Sequence, residues 1–427
     1  MPARAIVVHY HELWLKGRNR WFFLNRLTDN LQRTLEDLPI ERIDRPGDRI
    51  LVWLREGADP APALARIERV LGVAYCAPVL AVERDIEAIR RAAWQELSGE
   101  EFETFAVRAR RSDKSFPMRS LEMERDVGAY LLARLGEAGR HARVHLAAPD
   151  RLCRIEISPG PALVYARRIP GPGGLPAKTG GKMVCLLSGG FDSAVAAYRM
   201  MKRGAHLIFA HFYGTGAQPG ESSLHVARAL VRQLVPYQLT ARLHLIPFEP
   251  IQREIVRFAP EDFRVLLYRR MMMRIAAAIA ERSGALGIVT GDSLGQVASQ
   301  TLENMVAVDR AVATSVFRPL AGDDKQEILA VARRIGTYDI SAEPFHDCCP
   351  VFLPRSPALR ATAADLDRAE SRLDVPALVR MGLDHAVMER YRFVRGEVER
   401  TVKSVDSAAP HGDAPQCAPA AERAGEH

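Results

Sequence analysis

Apolar and polar positions along the chain predict a protein built from both strands and helices. Short apolar runs at 5–9 and 184–187 are typical of buried strands. Apolar residues at helical spacing predict a helix over 19–37. From 183 to 290 strands and helices alternate regularly, which predicts a doubly wound parallel sheet with helices on both faces. The fold class predicted from the sequence is therefore α/β.

The same pattern supplies further elements and divides the chain into units. Further predicted strands are 50–54, 104–109, 143–146, 153–157, 162–166, 206–212, 242–246 and 286–290. Further predicted helices are 62–70, 120–135, 193–203, 222–235, 250–258 and 263–283. A stretch rich in Pro and Gly marks a linker between folded units. The predicted units are 1–60, 61–168, a linker at 169–182, 183–400, and a disordered tail rich in Ala, Pro and Gly at 401–427.

Composition narrows the class of protein. A chain of 427 residues has room for two to four domains. It contains no apolar run of membrane-spanning length, and its start lacks the apolar core of a signal peptide, so we expect a cytoplasmic protein without membrane association. None of the six cysteines is spaced Cys-x-x-Cys, which argues against a zinc knuckle.

The charge is uneven along the chain. The net charge is +7, and residues 1–180 hold 29 Lys and Arg against 24 Asp and Glu, so most of the excess lies in the first two units. This favours a polyanionic partner, although an excess of this size also occurs in proteins that bind no nucleic acid.

A short loop between strand 184–187 and helix 193–203 carries the strongest chemical signal. It reads Ser188-Gly189-Gly190-Phe-Asp192-Ser193. Two glycines allow a tight turn whose N–H groups approach an anion, and the following helix N-terminus adds partial positive charge. A bare Gly-Gly would indicate only a turn, but two hydroxyls and a carboxylate share this one. The loop predicts a phosphate site.

This hexapeptide resembles the SGGxDS loop of the PP-loop ATP pyrophosphatases. Enzymes of that family cleave ATP between its α- and β-phosphates and leave AMP on an acceptor. The resemblance implies ATP and Mg²⁺ as ligands. Asp192 would then hold Mg²⁺ or the phosphates, and the N–H groups of Gly189 and Gly190 would hold pyrophosphate.

Two basic segments precede this loop. The first lies within 11–20 and includes Lys16 and Arg18, and it is either a phosphate contact or a solvated helix start. The second combines five cations with Phe116-Pro117, and it is either a phosphate-facing loop or a basic surface loop. Its cations are Arg108, Arg110, Arg111, Lys114 and Arg119.

Both segments resemble parts of one family. The run Phe105-x-Val-Arg-x-x-Arg-x-Asp-Lys-x-Phe-Pro117 is similar to a THUMP domain, which binds the acceptor end of tRNA. The stretch Glu12–Arg20 is similar to the ferredoxin-like module that precedes THUMP in tRNA 4-thiouridine synthetases, the ThiI family. The implied order is ferredoxin-like module, THUMP domain and PP-loop domain.

The resemblance also implies further site residues. The family has a lysine that acts on the phosphates during adenylation, and the resemblance implies this role for Lys325. The implied nucleotide contacts beyond the loop itself are Leu186, Leu187, His211, Phe212, Arg269, Gly291 and Gln300.

A cysteine pair, Cys348-Cys349, forms a second chemical centre. Sulfur can carry a persulfide or act as a nucleophile, whereas the alternative is a pair of buried structural cysteines. The resemblance implies that Cys348 takes part in sulfur transfer. Many family members carry a C-terminal rhodanese domain, and none fits the tail here. We therefore expect a cysteine desulfurase to supply sulfur directly, with Cys349, Cys417 or an external thiol as the resolving group.

Taken together, the resemblance implies ATP-dependent synthesis of 4-thiouridine at position eight of tRNA. It also implies a homodimer and sulfur supply to thiamine thiazole. Two alternatives stay open at this point. One is another PP-loop enzyme, which modifies tRNA differently or forms an amide, and the other is a tRNA-binding module without catalysis.

Overall fold

The computed structural model describes residues 3–214, 223–344 and 357–403, and two sheets organise this part of the chain. The first sheet has nine strands: β1 (Ala3–His9), β2 (Ile40–Asp44), β3 (Ile50–Leu54), β4 (Tyr75–Val82), β5 (Thr104–Arg111), β6 (Arg143–Val144), β7 (Arg151–Ile157), β8 (Ala162–Tyr165) and β9 (Ile169–Pro170). The helices beside it are α1 (Arg20–Thr34), α2 (Ala61–Ile67), α3 (Ile86–Ser98) and α4 (Ser120–Glu137).

The strand order β2-β3-β1-β4-β8-β7-β5-β6 joins two modules into one sheet, and β9 pairs with β4. Strand β4 pairs antiparallel with β1 on one side and with β8 on the other. Helices α1 and α2 share one apolar core, in which Leu27 and Leu31 pack with Leu64 and Ile67. These residues lie on both sides of the predicted division between 60 and 61.

The second sheet carries the C-terminal half of the described chain. Its strands are β10 (Lys182–Leu186), β11 (His206–Tyr213), β12 (Thr240–Pro247), β13 (Gly287–Val289), β14 (Ser315–Phe317), β15 (Val387–Val394) and β16 (Glu397–Lys403). Its helices are α5 (Phe191–Lys202), α6 (Ser223–Gln238), α7 (Glu249–Phe258), α8 (Arg264–Ser283), α9 (Leu302–Asp309), α10 (Lys325–Arg334), α11 (Tyr338–Ala342), α12 (Ala363–Glu370) and α13 (Val375–Asp384). Short 3₁₀ segments are Glu12–Asn19, Glu261–Phe263 and Ala298–Gln300.

The order of this sheet is β14-β13-β10-β11-β12-β15-β16. The first five strands are parallel, and β15 and β16 add an antiparallel hairpin at one edge. Apolar cores lie on both faces of the sheet, because alternate residues of β10 pack into different clusters. The predicted α/β fold with a doubly wound parallel sheet is confirmed. In the described ranges no helix is long and apolar enough to cross a membrane.

A buried ion cluster ties the two N-terminal modules together. Glu156 on β7 lies with its carboxylate 3.1 Å from Arg49 Nη1 and 3.1 Å from His9 Nε2, and it accepts a 2.6 Å bond from the hydroxyl of Tyr165. Burial favours the neutral acid, but His9, Tyr165 and Arg49 outweigh it and lower the pKa of Glu156 from 4.5 to about 2.

We expect the substitution Glu156→Gln to destabilise the protein at neutral pH and to remove part of its acid sensitivity. A carboxyl whose pKa is depressed on folding stabilises the protein above its unfolded pKa, and this contribution is lost as the pH falls toward 2. The shift corresponds to about 3 kcal/mol.

Urea unfolding between pH 7 and pH 2 tests this expectation. The difference in unfolding free energy between wild type and variant should shrink as the pH falls below 4.5. The exposed Glu137→Gln serves as control and should show little difference. A wild-type-minus-variant difference that stays constant with pH would contradict the account.

Candidate active site

The loop Ser188–Gly190 folds around the hydroxyl of Ser193 at the carboxyl end of β10. Ser193 Oγ accepts a 3.1 Å bond from the backbone N–H of Ser188 and lies 3.2 Å from the carbonyl oxygen of Gly190. In the described part of the chain no side chain caps the N-terminus of α5, where Gly190 is the N-cap residue. The first-turn N–H groups are therefore available to an anionic ligand.

Asp192, in the first turn of α5, faces the N-terminus of α10. Lys325 Nζ donates a 2.8 Å bond to Asp192 Oδ1, and Gln296 Nε2 donates a 3.2 Å bond to Oδ2. Asp324 caps α10 by accepting from the backbone N–H of Glu327, so Lys325 starts the helix from a fixed position. A cation beside a helix N-terminus is disfavoured by the dipole unless an anion is near, and here Asp192 is that anion.

A cavity of about 520 Å³ opens between this loop and α8. Apolar side chains line part of it, and the polar groups gather on the side of the loop and of β13. The predicted residues that line it are Leu186, Leu187, Ser188, Asp192, Ser193, Phe212, Arg269, Gly291 and Gln300. Lining residues outside the predicted set include Tyr268, Met272, Thr290, Asp292 and Ser299. This size, with an apolar wall and a few polar groups, suits a nucleotide.

Asp292 organises the polar side of the cavity. Its buried carboxylate accepts bonds from Arg269, from Arg318 Nε at 3.2 Å, from Thr290 Oγ1 at 2.8 Å and from Gln300 Nε2 at 3.2 Å. Burial alone would raise the pKa of Asp292, but the charges and bonds of Arg269 and Arg318 outweigh burial, so the pKa is lowered. Asp292 thus stays ionised and fixes two predicted nucleotide contacts.

Comparisons with known proteins match every part of this architecture. The model of the family described as "Thiamine biosynthesis protein (ThiI)" matches residues 178–375, the ThiI ferredoxin-like domain matches 5–77, and the THUMP domain matches 83–167. A "Probable tRNA sulfurtransferase" of Thermus thermophilus is 45% identical over 393 residues, covering 92% of this chain and 95% of that protein. A relative of the same name from Moorella thermoacetica is 42% identical, covering 88% of this chain and 94% of that protein.

The chain belongs to the ThiI family. A crystal structure of a 4-thiouridine synthetase–RNA complex with bound ATP superposes with a TM-score of 0.81 at 32% identity, covering 91% of this chain and 99% of that one. The predicted order of ferredoxin-like module, THUMP domain and PP-loop domain is confirmed.

His211, a predicted nucleotide contact of the family, lies behind the cavity instead of lining it. Its ring is buried, with Nδ1 2.8 Å from the carbonyl oxygen of Leu187 and Nε2 2.9 Å from Ser223 Oγ. The imidazole therefore links the end of β10 to the start of α6 and positions the backbone of Leu187 at the cavity wall.

Three cysteines are structural. Cys76, Cys153 and Cys185 are fully buried, and burial raises the pKa of each thiol to about 12, so they are not reactive thiolates. Cys348, predicted to transfer sulfur, lies outside the described residues, as do Cys349 and Cys417. The helix that precedes Cys348 in sequence, α11, packs beside the phosphate loop through Tyr338, whose ring centroid is 5.2 Å from that of Phe191.

The structure separates the predicted RNA-binding cations by their contacts. Arg111 donates to the carbonyl oxygens of Phe116 and Met118, at 2.7 and 3.1 Å, and so holds the loop in shape. Others have acidic neighbours, with Arg108 3.5 Å from Glu124 and Arg110 3.0 Å from Asp48. Exposed cations at the surface are Arg18, Lys114 and Arg119, and the half-exposed Lys16 lies over the ring of Phe23.

We expect Gly291→Ala to weaken nucleotide binding. A Cβ at Gly291 would lie 2.7 Å from the backbone nitrogen of Ser193, a contact that only backbone movement can relieve. Such overpacking costs about 1–3 kcal/mol and would displace the start of α5. Gly322→Ala is a matched control, since its Cβ would meet open space. Titration with an ATP analogue should show weaker binding for Gly291→Ala alone, and equal affinities would contradict the close packing at this site.

Proposed function

We propose that this chain is an ATP-dependent tRNA sulfurtransferase that forms 4-thiouridine at position eight of tRNA. The observation that carries the proposal is that the uncapped N-terminus of α5, with Asp192 bonded to Lys325 in its first turn, borders a nucleotide-sized cavity. Membership in the ThiI family supports it, because the solved relative holds both RNA and ATP.

The nucleotide would occupy the cavity with its base against the apolar wall. Leu186, Phe212 and Met272 offer a surface for a purine ring, while the polyphosphate would meet the first-turn N–H groups of α5 and the N–H groups of Gly189 and Gly190. The N–H of Gly190 donates a 3.2 Å bond to Ser188 Oγ, which the phosphate would replace. Lys325 is placed to contact the phosphates once it leaves Asp192, and there it would stabilise the charge that develops as pyrophosphate departs.

Asp192 suits a Mg²⁺ ion that is bound mainly through the nucleotide. Within the described ranges no group of three or more His, Cys, Asp or Glu side chains is arranged to hold a metal. Mg²⁺ in nucleotide enzymes usually takes one or two carboxylates together with phosphate oxygens, and the carboxylate of Asp192 meets that need. Bound there, Mg²⁺ would neutralise phosphate charge.

The proposed chemistry has two stages. The C4 oxygen of uracil attacks the α-phosphorus, the bond to the bridging oxygen breaks, and pyrophosphate leaves. A persulfide on Cys348 then attacks C4, and AMP departs with the former C4 oxygen. A second thiol attacks Cys348 sulfur, which forms a disulfide and releases the thiolated base. Cys349, Cys417 or an external thiol can take that last role.

The remaining parts of the proposal rest on family resemblance. We expect a cysteine desulfurase to supply the persulfide directly to Cys348. A homodimer, a cytoplasmic location and sulfur supply to thiamine thiazole belong to the same proposal. The name of the matching family model, which refers to thiamine biosynthesis, supports the link to thiamine.

The products of ATP turnover test the proposal. With Mg-ATP and bulk tRNA, the chain should release AMP and pyrophosphate, and this release should depend on tRNA. Formation of ADP would contradict a PP-loop mechanism. Tight tRNA binding without any nucleotide turnover would favour the alternative of a binding module without catalysis.

We expect the double substitution Lys114→Gln with Arg119→Gln to weaken tRNA binding without changing the fold. Both side chains are exposed on the THUMP domain. Each cation that binds a phosphate contributes about one to the slope of log affinity against log salt, so the double variant should lower the magnitude of that slope by about two. The control Arg134→Gln changes a cation of the same domain that is paired with Glu137. An unchanged salt slope in the double variant would remove these two residues from the interface.

A further inference from the structure

A second cavity, of about 590 Å³, lies at the junction between the N-terminal modules and the PP-loop domain. We call it the junction cavity. Residues after α2, linker residues 170–172, the ends of α5 and α10, and one face of α6 line it. It lies away from the proposed nucleotide site, because α5 begins at that site and lines the junction cavity with Tyr198 and Lys202, about 10 and about 16 Å along the helix axis.

The junction cavity carries an excess of positive charge. Its lining includes Arg69, Lys202, Arg333 and Arg334, against a single acidic residue, Glu68. Across the described ranges, none of these four cations forms an ion pair. Like charges gathered around one concave space repel one another, and an anion in that space would relieve the repulsion.

Neighbouring cations outside the lining differ in that they form ion pairs. Arg199 is paired with Asp323, and Arg203 donates to both carboxylate oxygens of Glu12 at 2.9 and 2.8 Å. The cations next to the junction cavity in sequence thus have acidic partners, whereas the four that line it have none among the described residues. The guanidinium of Arg333 lies instead 4.4 Å from the ring centroid of Tyr338.

Helix polarity explains part of this arrangement. Lys202 and the pair Arg333–Arg334 lie in the last turns of α5 and α10, where cations favour the negative end of the dipole. That preference does not account for Arg69, which follows α2, nor for the meeting of cations from three elements in one cavity.

The remaining lining residues limit the size and shape of a ligand. The rings of Tyr198 and Tyr237 are buried and meet edge to face at 5.1 Å, and Gln233 lies beside them. Burial, followed by the charge of Arg334, lowers the pKa of Lys202, as expected of a cation crowded by others. A concave site of this volume is in the range of small-molecule pockets, whereas an RNA backbone is usually met by open grooves.

We propose that the junction cavity binds a small ligand carrying two or more phosphate charges, at a site separate from the one that holds ATP. Pyrophosphate and the phosphates of a nucleotide share this chemistry. The inference rests on the charge and shape of the cavity and does not require the proposed thiolation activity.

Calorimetric titration of the full-length chain with inorganic pyrophosphate tests the proposal. The titration is done in the presence of a saturating non-hydrolysable ATP analogue, so that the catalytic site is occupied. The test variant carries Arg69→Gln with Arg334→Gln, and the control Arg203→Gln removes a neighbouring cation that is bound to Glu12. AMP is titrated in parallel to separate a nucleotide from a free polyphosphate.

We expect one equivalent of pyrophosphate or AMP to bind wild type and the control alike, and to bind the double variant at least about tenfold more weakly, given the strength of hydrogen bonds to charged groups. Absence of binding in the presence of the analogue, or equal affinity in the double variant, would overturn the proposal. So would a result in which a short RNA, but neither small anion, binds with lower affinity to the double variant. If the analogue itself does not bind, the proposed function fails, and pyrophosphate titrated alone still tests the junction cavity.

Discussion

The variant Lys325→Gln should lose tRNA-dependent AMP formation by about a hundredfold to a thousandfold while it keeps the wild-type fold. Lys325 is fixed at the first position of α10, and its ammonium donates a 2.8 Å bond to Asp192, which lines the cavity proposed to receive the nucleotide. Glutamine keeps a polar N–H group on a side chain one atom shorter, but it removes the charge that would stabilise the departing pyrophosphate. Removal of one such electrostatic interaction typically costs this factor in turnover.

Lys182→Gln is the matched control for that experiment. Lys182 lies at the opposite end of β10, and its exposed ammonium meets only the carbonyl oxygen of Ser283 among described groups, at 3.2 Å. The control should retain wild-type turnover, and both variants should unfold at similar temperatures, because both side chains are exposed. Turnover retained by Lys325→Gln would mean that the phosphates are held without it and that its pairing with Asp192 is structural.

The variant Cys348→Ala should make no 4-thiouridine while it still releases AMP in a tRNA-dependent manner. Alanine removes the only atom of this residue that can carry a persulfide, whereas the adenylation groups at Asp192 and Lys325 are untouched. The measurement pairs nucleoside mass spectrometry with quantitation of AMP in the same reaction.

An excess of external thiol separates the role of the sulfur carrier from that of the resolving cysteine. Under these conditions no resolving cysteine is needed, so Cys349→Ala and Cys417→Ala should both keep 4-thiouridine synthesis. If Cys349→Ala loses it and Cys348→Ala keeps it, the sulfur carrier is the second cysteine of the pair. If all three variants stay active, sulfur reaches the activated base by a route without these cysteines.

The parallel core of the catalytic domain was predictable because its strands read as continuous apolar runs. The edge hairpin β15–β16 was not, because its inward face places the charged Glu389 among Val387, Tyr391 and Phe393. Glu389 is buried there, accepts a 2.6 Å bond from Tyr391 and contacts Arg228 at 2.9 Å. A binary apolar and polar pattern cannot mark a strand whose buried face carries an ion pair.

Strand β4 was not predicted from the sequence, for a different reason. It contains Pro78, and proline is unusual within a central strand because it lacks an N–H group. In the structure β4 pairs with β1 along its length, but on the other side it meets β9 at 75–76 and β8 only from residue 80. Pro78 lies in the gap between these two partners, so no ladder bond is lost.

The candidate-site residues that belong to a short motif were predictable. Those that hold other side chains in position were not. The loop Ser188–Ser193 is recognisable from its glycines, serines and aspartate. Asp292 carries no such signal, since a carboxylate after a strand is common, and its bonds to Arg269 and Arg318 come from elements far apart in sequence. The one available clue was its position directly after Gly291, beyond the end of β13.

The most direct test of the central claim is the formation of 4-thiouridine itself. Wild-type protein is incubated with bulk tRNA, Mg-ATP, cysteine, a cysteine desulfurase and an external thiol, and the nucleosides are analysed by mass spectrometry. We predict 4-thiouridine that appears only when ATP is present, with one AMP released for each modified base. Intact tRNA binding with neither AMP nor 4-thiouridine would contradict the account and leave a tRNA-binding protein without this catalysis.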